Sequence, residues 1–107
     1  MLLYEVSFRP TEMTFDAYEA LAADLAPSFA ALPGLVSKIW TAPDDDGRLR
    51  GVYLWRDRAS FDAFRGGPLD VATNPAFADV RAHEVDVLEA PTRLTTPSPA
   101  PLVAPMG

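Results

Sequence analysis

The fold of this 107-residue chain is decided by residues 38–56, Lys-Ile-Trp-Thr-Ala-Pro-Asp-Asp-Asp-Gly-Arg-Leu-Arg-Gly-Val-Tyr-Leu-Trp-Arg. The Asp-Asp-Asp-Gly segment at 44–47 predicts a hairpin turn, because aspartates bond their own backbone and glycine accepts positive φ. The second strand has four consecutive apolar residues, Val52 to Trp55, whereas a strand with one wet face alternates apolar and polar residues. Both faces of this strand are therefore predicted to be covered, one by the chain's own helices and the other by a second copy of the protein.

The segments before the hairpin predict a strand followed by a helix. Residues 2–8 place Leu, Tyr, Val and Phe at every second position, which is strand periodicity. Thr14 can then cap a helix in which apolar residues recur every three or four positions as far as Leu32. We expect a kink or a break between Asp24 and Pro27, because proline inside a helix lacks a donor and costs about 3 kcal/mol.

The segments after the hairpin predict a second helix and a last strand. Asp57 can cap a short helix that carries Phe61 and Phe64 on one face. Asn74-Pro75 predicts a further helical turn with proline at its first position. Residues 80–88 alternate in the manner of a strand. That alternation places four residues on one face: Arg81, His83, Val85 and Val87.

The resulting order, β-α-β-β-α-β, predicts a ferredoxin-like α+β fold with an antiparallel sheet and helices on one face. We assign residues 1–90 to this domain. Residues 91–107 hold five prolines among small residues and are predicted to form an extended C-terminal tail. The excess of apolar residues on the hairpin predicts a homodimer.

Composition excludes several classes of function. The net charge of -6 argues against nucleic-acid binding, which needs a basic patch. The absence of cysteine excludes disulfides and thiolate sites, and this suits the cytoplasm. The N-terminus lacks the basic and apolar regions of a signal peptide, and no stretch approaches the 20 or so apolar residues of a membrane span. We predict a cytoplasmic protein that binds neither nucleic acid nor membrane.

No catalytic motif, phosphate loop or metal-ligand cluster is present in the sequence, so no metal site is predicted. A single histidine leaves only one axial haem ligand as a metal role. The remaining signal is a pocket between helices and sheet, which Arg81 and His83 would enter if their strand face looks inward. For any one aromatic ring, core packing is the simpler interpretation. The corresponding simpler interpretations are a surface ion pair for Arg81, a structural imidazole for His83 and a solvated edge charge for Lys38.

The sequence resembles the YdhR-like putative monooxygenase family, within the dimeric α+β barrel superfamily that includes the antibiotic biosynthesis monooxygenases. The resemblance covers the chain to about Thr95 and rests on short segments in a shared order. These segments are Ile39-Trp40-Thr41, Gly51-Val52-Tyr53-Leu54, Asp57-Arg58, Gly67-Pro68 and residues 85–91, Val-Asp-Val-Leu-Glu-Ala-Pro. The family implies two protomers whose sheets meet in a barrel, with a pocket in each protomer.

The resemblance also implies an activity, in which dioxygen oxidises a small phenolic or polycyclic aromatic substrate without metal, flavin or other cofactor. The protein then has to bind, deprotonate and desolvate the substrate. From chemistry and strand parity, we predict His83 as the base and Arg81 as the residue that stabilises the phenolate. The predicted substrate-binding residues are aromatic: Trp40, Tyr53, Trp55, Tyr18 and Phe64.

Two other functions use the same pocket. A polyketide cyclase or isomerase would employ the base without oxygen chemistry, and a binding protein would hold a small aromatic molecule without turnover. Haem binding through His83 is a third alternative.

Overall fold

Four antiparallel strands form one sheet in the computed structural model, which describes residues 1–96. The strands are β1 (Leu2–Pro10), β2 (Leu35–Trp40), β3 (Leu49–Trp55) and β4 (Phe77–Asp86), in the spatial order β2-β3-β1-β4. The helices are α1 (Phe15–Ala30), α2 (Arg58–Phe64) and α3 (Glu89–Thr95), and a short 3-10 helix spans Val71–Thr73. The predicted ferredoxin-like α+β fold is confirmed, with α3 added after the last strand.

Helix α1 begins at its predicted cap and continues through its proline. The Thr14 hydroxyl accepts a hydrogen bond from the Ala17 N–H at 3.1 Å. Pro27 lies inside the helix, which runs without a break to Ala30. The predicted break is therefore wrong, because the helix must continue through Pro27 to bury Phe29, whose side chain is only 5% exposed.

The hairpin between β2 and β3 forms as the aspartates and the glycine predict. One Asp44 carboxylate oxygen accepts hydrogen bonds from the N–H groups of Asp46 and Arg48, both at 2.9 Å. Gly47 has φ +77°, a conformation that favours glycine. The turn fixes a register in which Tyr53 of β3 lies opposite Lys38 of β2 and, on its other side, opposite Tyr4 of β1.

The core lies between the sheet and helices α1 and α2. Every second residue of β3, from Leu49 to Trp55, is buried, and so are Leu2, Tyr4, Val6 and Phe8 of β1. The Tyr4 ring lies 4.9 Å from that of Phe61 in α2, and the Phe8 ring lies 5.9 Å from that of Tyr18 in α1. We call this the helix face of the sheet and the opposite side its open face.

Two segments differ from the sequence prediction. Asn74-Pro75 forms a turn that leads directly into β4, because the Asn74 side chain accepts the Ala76 N–H at 2.9 Å and its carbonyl accepts the Phe77 N–H. The predicted helical turn there is wrong. Residues 89–95 form α3, so the extended tail does not begin at residue 91; an Arg93–Glu89 pair at 2.7 Å supports this helix. The predicted tail from residue 97 onward lies outside the described residues.

Candidate functional site

A pocket of about 270 Å³ lies on the helix face, between α1, strands β2 and β3, and residues 68–74. Its walls are mostly apolar. Six rings line it: Phe8, Tyr18, Phe29, Trp40, Tyr53 and Phe77. An apolar pocket with a few polar groups is the usual form of a small-molecule site.

The Lys38 side chain enters this pocket between aromatic rings. Its Nζ lies 3.4 Å from the centre of the Phe29 ring, 3.3 Å from that of Trp40 and 4.6 Å from that of Tyr53. The Phe29 and Trp40 rings stand nearly perpendicular, at 85° and 5.1 Å. Ring faces attract an ammonium group, but they supply no proton acceptor equivalent to a carboxylate.

Lys38 is a partly buried cation among apolar groups, which is unusual for a lysine. None of the ion pairs formed within residues 1–96 involves Lys38. Desolvation without a counter-charge lowers the pKa of its ammonium from 10.5 to about 7. The amine is therefore partly neutral at physiological pH and can accept a proton there.

Two tyrosines, Tyr18 and Tyr53, line the same pocket. Burial raises the pKa of the Tyr53 hydroxyl far above its ordinary value and also raises the pKa of Tyr18. Both hydroxyls remain protonated at neutral pH and can donate hydrogen bonds to a ligand. The pocket thus combines one proton-accepting amine with two hydroxyl donors.

Gly51 makes the space in which these groups meet. A Cβ at this position would lie 2.9 Å from Cε1 of Tyr53 and 3.5 Å from Cε of Lys38. The Tyr53 ring is fixed in the core and cannot move aside readily, since the residue is only 2% exposed. The missing side chain of Gly51 therefore lets the Tyr53 ring and the Lys38 stem lie over the strand.

Asp70 fixes the loop that closes the pocket. The residue is 1% exposed, and its carboxylate accepts hydrogen bonds from Arg65 Nε at 3.0 Å and from the backbone N–H groups of Gly66 and Ala72. Pro68, Leu69 and Val71, which line the pocket, lie within the segment held by these bonds. A buried carboxylate with these partners gives the loop a defined position.

The predicted substrate-binding residues divide into two groups. Tyr18, Trp40 and Tyr53 line the pocket, as a substrate-binding role requires. Trp55 and Phe64 do not; they line a separate pocket beside Leu32 and Pro33. Trp55 is fully buried and its ring stacks parallel to that of Tyr53 at 6.2 Å, so it supports the pocket wall from behind.

The predicted pair of catalytic residues lies on the other side of the sheet. His83 is paired with Glu5 of β1 and Arg81 with Ser7, whereas the helix face of β1 carries Tyr4 and Val6. Both side chains are therefore on the open face, away from Lys38 and the pocket. The expectation that Arg81 and His83 reach the pocket rim is wrong, because the inward face of β4 carries Ala82 and Glu84 instead.

Lys38 is the pocket residue that sequence reasoning set aside. The sequence did indicate that Lys38 could enter the pocket, because Lys38 and Trp40 are two positions apart on one strand and therefore share a face. Strand parity that places Trp40 in the pocket places Lys38 there too. Only the position of Phe29 on α1 shows that the amine is partly buried against a second ring.

Comparisons with known proteins agree with this architecture. The family model described as Putative mono-oxygenase ydhR matches residues 3–98, and no curated protein sequence matches the chain. The structure is similar to a putative antibiotic biosynthesis monooxygenase from Deinococcus radiodurans, with a TM-score of 0.65, 12% identity, and coverage of 84% of this chain and 95% of the other.

Two further solved structures share the fold. SnoaB, a cofactor-independent oxygenase from Streptomyces nogalater, gives a TM-score of 0.64 at 17% identity, over 83% of this chain and 94% of SnoaB. The heme-degrader MhuD from Mycobacterium tuberculosis gives 0.65 at 19% identity, over 82% of this chain and 96% of MhuD. At these identities the likeness is one of fold. Within residues 1–96, no helix has the length and hydrophobicity needed to cross a membrane.

Proposed function

This chain belongs to the Putative mono-oxygenase ydhR family, and we propose that it oxidises a small phenolic or polycyclic aromatic substrate with dioxygen in the pocket beside Lys38. The proposed reaction uses no metal, flavin or other cofactor. For an anthrone, the ring CH₂ becomes a carbonyl: one oxygen atom enters the product, and the other leaves as water with the two hydrogens. The observation that carries the proposal is a single desolvated amine enclosed by aromatic rings.

The pocket residues supply the three things that such a reaction needs. Neutral Lys38 takes the acidic proton of the substrate and becomes the ammonium partner of the resulting anion. The Tyr53 hydroxyl can donate a hydrogen bond to the same anion. The rings exclude water and hold a planar substrate, so that the electron-rich anion transfers one electron to dioxygen in a dry site.

Oxygen consumption tests this proposal. We expect the protein to consume dioxygen with anthrone or dihydroxynaphthalene at equal amounts of oxygen used and quinone formed. With anthrone and ¹⁸O₂, one labelled oxygen should appear in each anthraquinone. Absence of uptake with both substrates would contradict the proposal, and turnover of a substrate under nitrogen would favour the cyclase or isomerase alternative. Saturable binding with no turnover in either atmosphere would favour the binding-protein alternative.

Haem does not fit this pocket. The only imidazole of the chain, His83, lies on the open face of the sheet and cannot ligate a group bound beside Lys38. The volume of about 270 Å³ is below the roughly 300–1,000 Å³ of sites for drug-sized ligands.

The open face of the sheet supports a homodimer as part of the proposal. A row across β3, β1 and β4 consists of Leu54, Leu3 and Val85, and the neighbouring row begins with Ile39 and Val52. Ile39 is 60% and Val85 is 50% exposed in the single chain. A contiguous apolar patch of this kind is typical of a surface covered by another molecule, and a second sheet of the same sequence presents a matching patch.

We expect light scattering at micromolar concentration to give twice the mass of one chain. Replacing Ile39 and Val85 together by glutamate should yield monomers, because two like-charged faces would meet. Ala20→Glu, on the exposed outer side of α1, is the matched control and should leave the dimer intact. A monomer from the unsubstituted chain would overturn the dimer.

A further inference from the structure

The pocket amine has no partner that competes for its lone pair. Within residues 1–96, Lys38 forms no ion pair, and the groups nearest its Nζ are the ring faces of Phe29 and Trp40. A buried cation without a counter-charge is unfavourable, so the neutral amine is populated. A desolvated neutral lysine in an apolar pocket is a nucleophile toward carbonyl carbon.

The surrounding groups suit the two stages of that reaction. The Lys38 Cε and the Tyr53 Cζ each lie 3.5 Å from the same point, the position of an absent Cβ on Gly51. The carbon that bears the amine and the carbon that bears the hydroxyl therefore both lie over Gly51, and the Lys38 Nζ is 4.6 Å from the centre of the Tyr53 ring. A protonated phenol beside the amine can donate to a carbonyl oxygen as that oxygen gains charge.

From this geometry we propose that Lys38 condenses with small aromatic aldehydes to form an imine, which gives the pocket a second chemistry as a carbonyl-binding site. The Nζ lone pair forms a bond to the carbonyl carbon, and the π electrons of the carbonyl move to its oxygen. Proton transfer from nitrogen to that oxygen gives a carbinolamine. The C–O bond then breaks, water leaves with both amine hydrogens, and a C=N bond remains. No oxidant or reductant is consumed, and the inference does not depend on the proposed oxidase activity.

The aromatic walls determine which carbonyl compounds react. Six rings line a pocket of about 270 Å³, which suits a small planar aromatic molecule. A planar aldehyde can lie against these rings with its carbonyl toward Lys38. Expulsion of water from such a site also opposes hydrolysis of the imine. Aromatic aldehydes should therefore be favoured over acetaldehyde.

Reductive trapping tests the inference with a single possible side-chain target, because Lys38 is the only lysine of the chain. The full chain is incubated anaerobically with 2-hydroxy-1-naphthaldehyde, benzaldehyde or acetaldehyde, then treated with cyanoborohydride and analysed by intact mass and peptide mapping. We expect one aromatic adduct per chain, at Lys38. It should form at least 100-fold faster than the adduct of N-acetyllysine methylamide under the same conditions.

Three variants make this experiment decisive. Lys38→Met and Lys38→Arg should lose the adduct, and Gly51→Ala should slow labelling at least 10-fold by displacing the Tyr53 ring; circular dichroism checks their folds. Labelling confined to the N-terminal amine, or labelling of Lys38 no faster than the free amide, would overturn the inference. A chain that labels at Lys38 but consumes no oxygen would support the imine and contradict the oxidase; oxygen uptake without labelling would do the reverse.

Discussion

Lys38→Met is expected to lower kcat/KM for oxygen uptake by about 100- to 10,000-fold, which is the usual contribution of a positioned proton acceptor. Methionine keeps an unbranched apolar stem in the space between Phe29 and Trp40, so the pocket walls are retained. What is lost is the amine that takes the substrate proton and then faces the anion. The measurement is initial oxygen uptake over a range of anthrone concentrations at pH 8.

Two companion variants separate this loss from a general effect of charge. Arg56→Met removes an exposed cation outside the pocket, 65% exposed, and should leave kcat/KM within twofold of the original. Lys38→Arg keeps a cation that cannot accept a proton near neutral pH, so kcat should fall while substrate binding is less affected. If His83→Gln abolished uptake and Lys38→Met did not, the assignment of Lys38 as the base would be wrong.

The pH dependence of turnover follows from the same residue. Activity of the unsubstituted chain should rise with pH through about 7, because the amine is protonated below that value and cannot act as a base. The other titratable groups that line the pocket are Tyr18, Tyr53 and Asp70. The tyrosine pKa values are raised, and the Asp70 carboxylate is paired with Arg65, so the increase near pH 7 should disappear in Lys38→Met.

Most of the fold could be predicted from local patterns in the sequence. The turn at 44–47, the cap at Thr14 and the cap at Asp57 each rest on a short-range interaction, and all three form. Helix α3 was missed because its proline is near its first turn, where no helical donor is needed, and the Pro-rich composition that follows dominated the prediction.

The site was harder to predict because it depends on which face of a strand meets the helices. Alternation places Arg81 and His83 on one face of β4, but both faces of this strand carry polar residues and neither is plainly apolar. The pairing of His83 with Glu5 decides which face of the sheet carries the His83 side chain, and this pairing depends on contacts between distant segments. The role of Lys38 depends in the same way on Phe29 of α1, which is nine positions away and approaches only after the helix packs.

Lys38 should also lower the stability of the fold, in a way that changes with pH. Its pKa is 10.5 when the amine is solvated and about 7 in the folded chain. Below pH 7 both states carry the proton, and the folded state bears the full cost of a buried cation. Between pH 7 and 10.5 the unfolded state binds more protons, so this cost shrinks as the pH rises.

Lys38→Met is therefore expected to raise the free energy of unfolding by about 3 kcal/mol at or below pH 7. The difference between the two pKa values corresponds to an upper limit near 5 kcal/mol, and the partial exposure of the Lys38 side chain to solvent reduces this figure. The gap between the two proteins should narrow steadily from pH 7 to 10, as measured by urea denaturation, while the effect of Arg56→Met stays small throughout. Equal stabilities of the two proteins at pH 6, or a stability difference that grows toward pH 10, would show that the amine is not desolvated. A stability difference that disappears toward pH 10 would link the destabilising effect of Lys38 to the same deprotonation that the proposed base role requires.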